Sequence, residues 1–476
     1  MDRRGFLANS IKTSAILGIA PLLGNVLRAG AEPTNVSIRI HPDRKTRQIP
    51  NDFVGLGYEI SSVAKPGLLA GGNRPYVQLV RNLGASGVIR VGGATSDNAS
   101  FVPNGAAKSL PKGTVVNQES LRQLRSFLLA VGWKLIWGLN LGEGSVQDAV
   151  EESQAVASII GDKLLAFEIG NEPDLFRGGH RPKGWAYSDY LVDYRQYKAA
   201  IRARLPEARF AGPDTAGSTD WVESFSRDEG QDILLLTEHY YLGPGGSEAS
   251  TEEKMLGPDP KIASISKRLE AISSSSHLPY RICETNSFYN GGRPGVSDTF
   301  GSALWVLDYM FGLASAGAGG VNMETGVNHL GFISHYSPIG EDSEKCFAAP
   351  EYYGMLAFAQ GSQGELVDLD VEQHAVNLTA YAVARNNKQV VLTVINKDES
   401  RDASIGIQFR EGLHRASAIR LAAPSVQSKN GITFGGASVD PDGNWKVARQ
   451  ENVKVIHGNA LIALPASSAA IVKFDQ

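Results

Sequence analysis

The chain has 476 residues, 42% hydrophobic and 20% charged, with a formal net charge of −4. This is a globular composition, long enough for one large domain and a smaller one. Lys and Arg are mixed among Asp and Glu, with no basic stripe for nucleic acid and no lysine-rich face for a membrane surface, although a locally basic groove for an acidic polymer stays open. Two cysteines, Cys283 and Cys346, make no disulfide framework and no metal-ligand spacing.

Residues 1–31 read as an export signal. Arg3-Arg4 precede Phe6-Leu7, an apolar run extends from Ser14 to Leu27, and Ala29-Gly30-Ala31 has the A-x-A form of a cleavage site. The arginine pair looks like the twin-arginine type, with an ordinary secretory signal as the alternative. The run is too short and too weakly apolar for a membrane span. The mature protein is therefore expected in a bacterial periplasm or outside the cell, unattached to membrane.

"NVSIRI" (35–40) follows, with strand alternation. Eight short runs then predict buried strands: 53–61, 88–92, 134–140, 164–170, 209–213, 233–241, 280–285 and 319–324. Helical patterns separate them, such as "YVQLVRNLG", "LRQLRSFLLAVG" and "ALWVLDYMFGLASAG", with "EYYGMLAFAQG" ending at Gly361. Eight β-then-α units of about 40 residues each predict an α/β fold of the (β/α)8 TIM-barrel kind over 49–364. From 365 to 476 the rhythm becomes strand alternation, with a hairpin turn at Asn386-Asn387-Lys388. That part, with 32–48, predicts an accessory antiparallel β-sandwich.

A barrel carries its chemistry at the C-terminal ends of its strands. Those ends hold Glu59, Arg90, Asn140, Asn171 with Glu172, Asp214, His239 with Tyr241, Glu284 and Glu324. Two carboxyl groups at a barrel mouth, with few histidines and no ligand cluster, suggest glycosidic bond hydrolysis. One protonates the leaving oxygen and the other attacks the anomeric carbon, about 5–5.5 Å apart in a retaining enzyme. Glu172 and Glu284 are the best pair. Glu168, deeper in strand four, is expected to pair with a buried arginine such as Arg90. His239 reads as a hydrogen-bonding wall, Cys283 as a small buried hydrophobe, and Glu324 as structural or sugar-binding. No metal or organic cofactor is implied, because carboxyl groups and water suffice.

"PNDFVGLGYEIS", "IRVGGATSD", "EIGNEPD", "TEHYY" and "CETNSFYNGG" together resemble glycoside hydrolase family 79, among the clan A retaining glycosidases. The likeness runs from about residue 35 to the C-terminus. It implies a β-glucuronidase or heparanase-like enzyme acting on a carbohydrate with a terminal uronic acid. It also implies that Glu172 is the acid/base, that Glu284 is the nucleophile, and that Asn171 holds the 2-hydroxyl. Tyr241 would bond the nucleophile, Arg90 would support it with positive charge, and Glu59 and Asp97 would bind hydroxyls. Tyr289, Asn290 and Gly291 would receive the uronate carboxylate through a phenol and backbone N–H groups. The expected activity is that of an exo-β-glucuronidase. The alternatives are an endo-acting enzyme on an acidic polysaccharide and a secreted, inactive sugar-binding protein.

Overall fold

The computed structural model describes residues 33–476 apart from 328–331, 343–344, 373–375, 387–388 and 410–411. The expected export signal (1–31) and most of the expected hairpin turn, Asn387-Lys388, lie outside the described residues. No helix among the described residues is long and apolar enough to cross a membrane.

Eight parallel strands form the barrel: Val54–Glu59, Val88–Gly92, Lys134–Leu139, Leu164–Ile169, Ala211–Thr215, Leu235–Tyr241, Tyr280–Asn286 and Gly320–Glu324, numbered one to eight below. Their hydrogen-bonded order is four-three-two-one-eight-seven-six-five. Strands four and five meet through a single bridge, Phe167 with Phe210, and the Glu172 N–H reaches the Asp214 carbonyl at 2.9 Å. The barrel is thus nearly closed, and its last link lies beside the candidate acid. Parallel strands buried on both faces need continuous apolar runs, which is why these eight segments stand out in the sequence. Val88, Ile136, Ala166, Ala211, Leu235 and Cys283 cluster together, so the Cys283 thiol acts as a small hydrophobe.

Local signals start and stop the intervening helices. The Asn117 side chain accepts the Ser120 N–H, Ser145 and Asp148 form a capping box, and Gly132 ends its helix at φ +83°. The helices Phe300–Ser315 and Pro350–Gly361 are apolar nearly all round because they lie between barrel and sheet. Phe358 meets Phe53 of the barrel side at 5.3 Å, and Phe311 stacks on Tyr381 of the sheet at 4.8 Å between ring centres.

The second sheet has eleven strands, drawn from Thr34–Gln48 and from residues 365–475. Thr34–Gln48 pairs antiparallel with Glu365–Glu372 and parallel with Ala403–Gln408. The parallel pair departs from the wholly antiparallel sandwich expected. A strand separated from Ala403–Gln408 by the whole barrel sequence is not tied to it by a hairpin, so its direction is free. Val36, Ile38 and Ile40 face a separate core with Leu392, Ile405, Ile462 and Phe474.

Candidate active site

Arg90 organises the barrel mouth. It is wholly buried on strand two, and four of its five N–H groups have acceptors on or just after other strands. Nε donates to Glu168 at 3.1 Å, one terminal nitrogen to Glu284 at 2.8 Å, and the other to Asn171 at 2.9 Å and to Asp214. The expected pairing of Glu168 with Arg90 is therefore present. Gly92 is required above it, since a Cβ there would lie 2.5 Å from the guanidinium carbon.

The chain turns sharply after strand four. Gly170 has φ +86° and Glu172 φ +52°, an uncommon backbone for a residue with a side chain. The turn is held by the Glu172 N–H on Asp214 and by the Leu175 N–H on the Glu172 carbonyl at 2.9 Å, with Pro173 opening a short 3-10 turn. Glu172 is thereby set above the strand, its side chain 26% exposed and its Oε1 3.1 Å from His239 Nδ1. Asn171 gives its Oδ1 to Arg90, so its amide N–H groups are turned the other way.

His239 is the second buried cation. Its Nε2 lies 2.8 Å from Asp214 Oδ1. Burial opposes its charge, but Asp214 and Glu284 outweigh burial and hold the imidazole well above its usual pKa. Both ring nitrogens then carry protons, and Nδ1–H donates to Glu172. Burial likewise opposes ionisation of Asp214, yet Arg90 and His239 hold its carboxyl below the usual range. Asp214 stands at a strand end but was not among the expected site residues. Its own left-handed backbone, φ +63°, aims it under His239, and nothing in the sequence announces that.

Glu284 ends strand seven with its side chain 12% exposed. The Tyr241 hydroxyl donates to Oε1 at 2.9 Å, Arg90 donates to Oε2, and His239 Nδ1 lies 3.9 Å away. Burial raises its pKa, but His239 and Arg90, with Tyr241, more than offset that and leave it lowered. One oxygen of Glu172, one of Glu284 and a ring nitrogen of His239 all lie within 4.8 Å of one another. That closeness matches a retaining pair rather than an inverting one, which stands about 6.5–9.5 Å apart. The centre of the cluster is a protonated imidazole beside a guanidinium, an unfavourable setting for a metal ion.

The remaining expected residues lie around this network. Glu59 accepts the Thr95 N–H at 2.7 Å, the Thr95 hydroxyl and the Ala94 N–H at 3.2 Å, so it holds the loop after strand two. Asp97 accepts N–H groups of Leu141, Gly142 and Asn171 at 3.1–3.3 Å, and burial pushes its carboxyl up to about 8. Both carboxyl groups are buried loop anchors at the site's edge. Tyr289 is 42% exposed and meets Tyr241 edge-on at 6.1 Å. Its N–H is already donated to the Gly243 carbonyl at 2.9 Å, which leaves the phenol as the donor it can offer. Among the described residues the N–H groups of Asn290 and Gly291 have no acceptor. Gly291 has φ +82°, and a Cβ there would lie 2.9 Å from the Phe332 ring. Two further residues join the mouth. The Tyr336 ring is 6.3 Å from that of Tyr241. Glu324 is buried with neither oxygen partnered among the described residues.

A parallel barrel with two carboxyl groups converging over an arginine and an imidazolium defines a glycoside hydrolase. Residues 380–471 match the model of the glycosyl hydrolase family 79 C-terminal beta domain. A β-glucuronidase of Aspergillus niger is 29% identical over 90% of this chain and 92% of that protein. A heparanase of Mus musculus is 27% identical over 52% of this chain and 47% of that protein. Among solved structures, a 4-O-α-L-rhamnosyl-β-D-glucuronidase of Fusarium oxysporum shares the fold, with a TM-score of 0.75 at 20% identity over 92% of this chain and 99% of that one. The C-terminal part of the chain thus resembles glycoside hydrolase family 79, and nearly its whole length is similar to a β-glucuronidase.

Proposed function

We propose that the chain is a retaining exo-β-glucuronidase with Glu284 as nucleophile and Glu172 as acid/base. The observation that carries this reading is the difference between the two carboxyl groups across His239. Glu284 is enclosed by three donors or cations that keep it ionised, whereas the Glu172 side chain is partly open to solvent, as a group that meets a leaving oxygen and then water requires. In the first displacement a Glu284 oxygen forms a bond to the anomeric carbon as the glycosidic bond breaks, and the leaving oxygen takes the Glu172 proton. In the second, Glu172 takes a proton from water, whose oxygen replaces Glu284 and frees the sugar with its configuration retained. The Asn171 amide donates to the 2-hydroxyl, a contact that strengthens in the transition state. The Tyr289 phenol and the N–H groups of Asn290 and Gly291 receive the uronate carboxylate.

The exo reading is supported by likeness along nearly the whole length of a β-glucuronidase, against about half of a heparanase. Export through residues 1–31 belongs to the same proposal, and N-terminal sequencing of the secreted protein tests it, with Glu32 as the expected start. The activity is tested with aryl β-glycosides of glucuronate, glucose, galactose and xylose. Turnover of the glucuronide alone is expected, and cleavage of a neutral glycoside without the glucuronide would overturn the uronic-acid reading.

A further inference from the structure

The backbone donors assigned to the uronate carboxylate, the N–H groups of Asn290 and Gly291, sit in a loop that the barrel alone does not hold. The peptide joining Gly291 to Gly292 is fixed at both ends. The His335 N–H donates to the Gly291 carbonyl at 2.7 Å, and the Gly292 N–H donates to the Phe288 carbonyl at 3.0 Å. A peptide unit is planar, so pinning both of its polar groups fixes its plane. The Gly291 N–H stands one residue's rotation away, at φ +82°. The direction of that donor therefore depends on where His335 lies.

Asp298 places His335. Its Oδ1 accepts the Gly295 N–H at 2.6 Å, within the same loop. Its Oδ2 lies 3.2 Å from His335 Nδ1, which donates because a carboxylate can only accept, and 2.7 Å from Lys429 Nζ. Lys429 comes from the second sheet's part of the chain, between the strands Arg415–Ala422 and Thr433–Phe434. The same segment is fixed to the barrel side close to Asp298. The Val426 and Ser428 carbonyls accept the Gly301 and Phe300 N–H groups at 2.9 and 2.8 Å, in the first turn of the helix Phe300–Ser315. Three stretches distant in sequence thus meet on one carboxylate, whose side chain is 20% exposed.

We propose that Asp298 and Lys429 are positioning residues for recognition of the uronate, with the second sheet supplying the cation that holds the loop. The proposal rests on the uronic-acid reading of the site. A carboxylate held by backbone N–H groups and a phenol depends on how well those donors are oriented beforehand. A hydroxymethyl group at the same carbon carries no charge for them to hold. Without Lys429, Asp298 loses its cation and no longer fixes His335, and the Gly291 peptide loosens with it. Binding of uronates should weaken selectively.

The test compares two competitive inhibitors that differ only at that carbon, a glucuronate-configured iminosugar and its hydroxymethyl counterpart. They are titrated against wild type, Lys429→Met, Lys429→Arg and Asp298→Asn. Wild type is expected to bind the carboxylate form more tightly. In Lys429→Met and Asp298→Asn that preference should fall about fivefold, the upper range for a partly exposed ion pair. KM for an aryl β-glucuronide should rise by the same factor with kcat little changed. Lys429→Arg should keep the wild-type preference. If Asp298→Asn does not fold, the half-exposed Lys429 carries the comparison. A purely structural link would lower the melting temperature and leave the ratio of the two inhibition constants unchanged. That result in Lys429→Met overturns the proposal alone. Wild type without a preference for the carboxylate overturns the uronic-acid reading, and this proposal falls with it.

Discussion

Replacing Tyr241 by Phe removes one hydroxyl and leaves the ring packed against Tyr289 and Tyr336. The hydroxyl donates to Glu284 Oε1 at 2.9 Å, while Arg90 and His239 serve the other oxygen. A hydrogen bond to a charged acceptor is worth about 1.5–3 kcal/mol, and one pKa unit corresponds to about 1.36 kcal/mol. Two cations remain beside the carboxylate and take up part of the loss, so Glu284 should rise by roughly one unit. The limbs of kcat/KM against pH report the essential groups of the free enzyme, with the acid limb set by the ionised nucleophile. For Tyr241→Phe that limb should move up by roughly one pH unit, with kcat/KM on its acid side down about tenfold and the alkaline limb in place. The assay is hydrolysis of an aryl β-glucuronide from acid to alkaline pH. An unmoved acid limb in a folded variant would refute the claim that this hydroxyl keeps Glu284 ionised.

Two further changes probe the groups around the pair. Asp214→Asn leaves His239 without its nearest counter-ion, and breaking a buried pair of this kind costs about 3–5 kcal/mol of stability. A raised imidazole stabilises the fold fully below its ordinary value of about 6.5 and loses that contribution as pH rises through the raised one. The His239-linked fall in melting temperature above about pH 6.5 should therefore be smaller and end at lower pH in Asp214→Asn than in wild type, and superimposable curves would contradict the charge assigned to His239. Tyr289→Phe should raise KM for an aryl glucuronide about tenfold with little change in kcat, as expected for one lost bond to a charged carboxylate. An unchanged KM would remove Tyr289 from carboxylate recognition.

The barrel was readable because each strand is buried on both faces and so appears as an apolar run, from "VGLGYE" to "GVNME". Glu172 and Glu284 stood out because strand ends narrow the search to a few acids. Asp214 was visible as a strand-end acid, but its place under His239 depends on a left-handed turn and on the closing of strand four against strand five. The four acceptors of Arg90 come from residues up to 194 positions away, a convergence no local pattern carries. That Gly243 takes the Tyr289 N–H depends on a neighbouring loop whose pairing leaves no periodic trace. The parallel neighbour of Thr34–Gln48 was hidden for the same reason: alternation fixes which face a strand buries, not its direction.

Azide rescue tests the division of labour between the two carboxyl groups most directly. Glu284→Ala should not turn over an activated aryl β-glucuronide, and added azide should restore release of the phenol with α-glucuronyl azide as the product. The α configuration follows because azide enters from the face that the missing nucleophile occupied. Formation of β-glucuronyl azide from Glu284→Ala would contradict the account, because it would make Glu284 the acid/base and Glu172 the nucleophile.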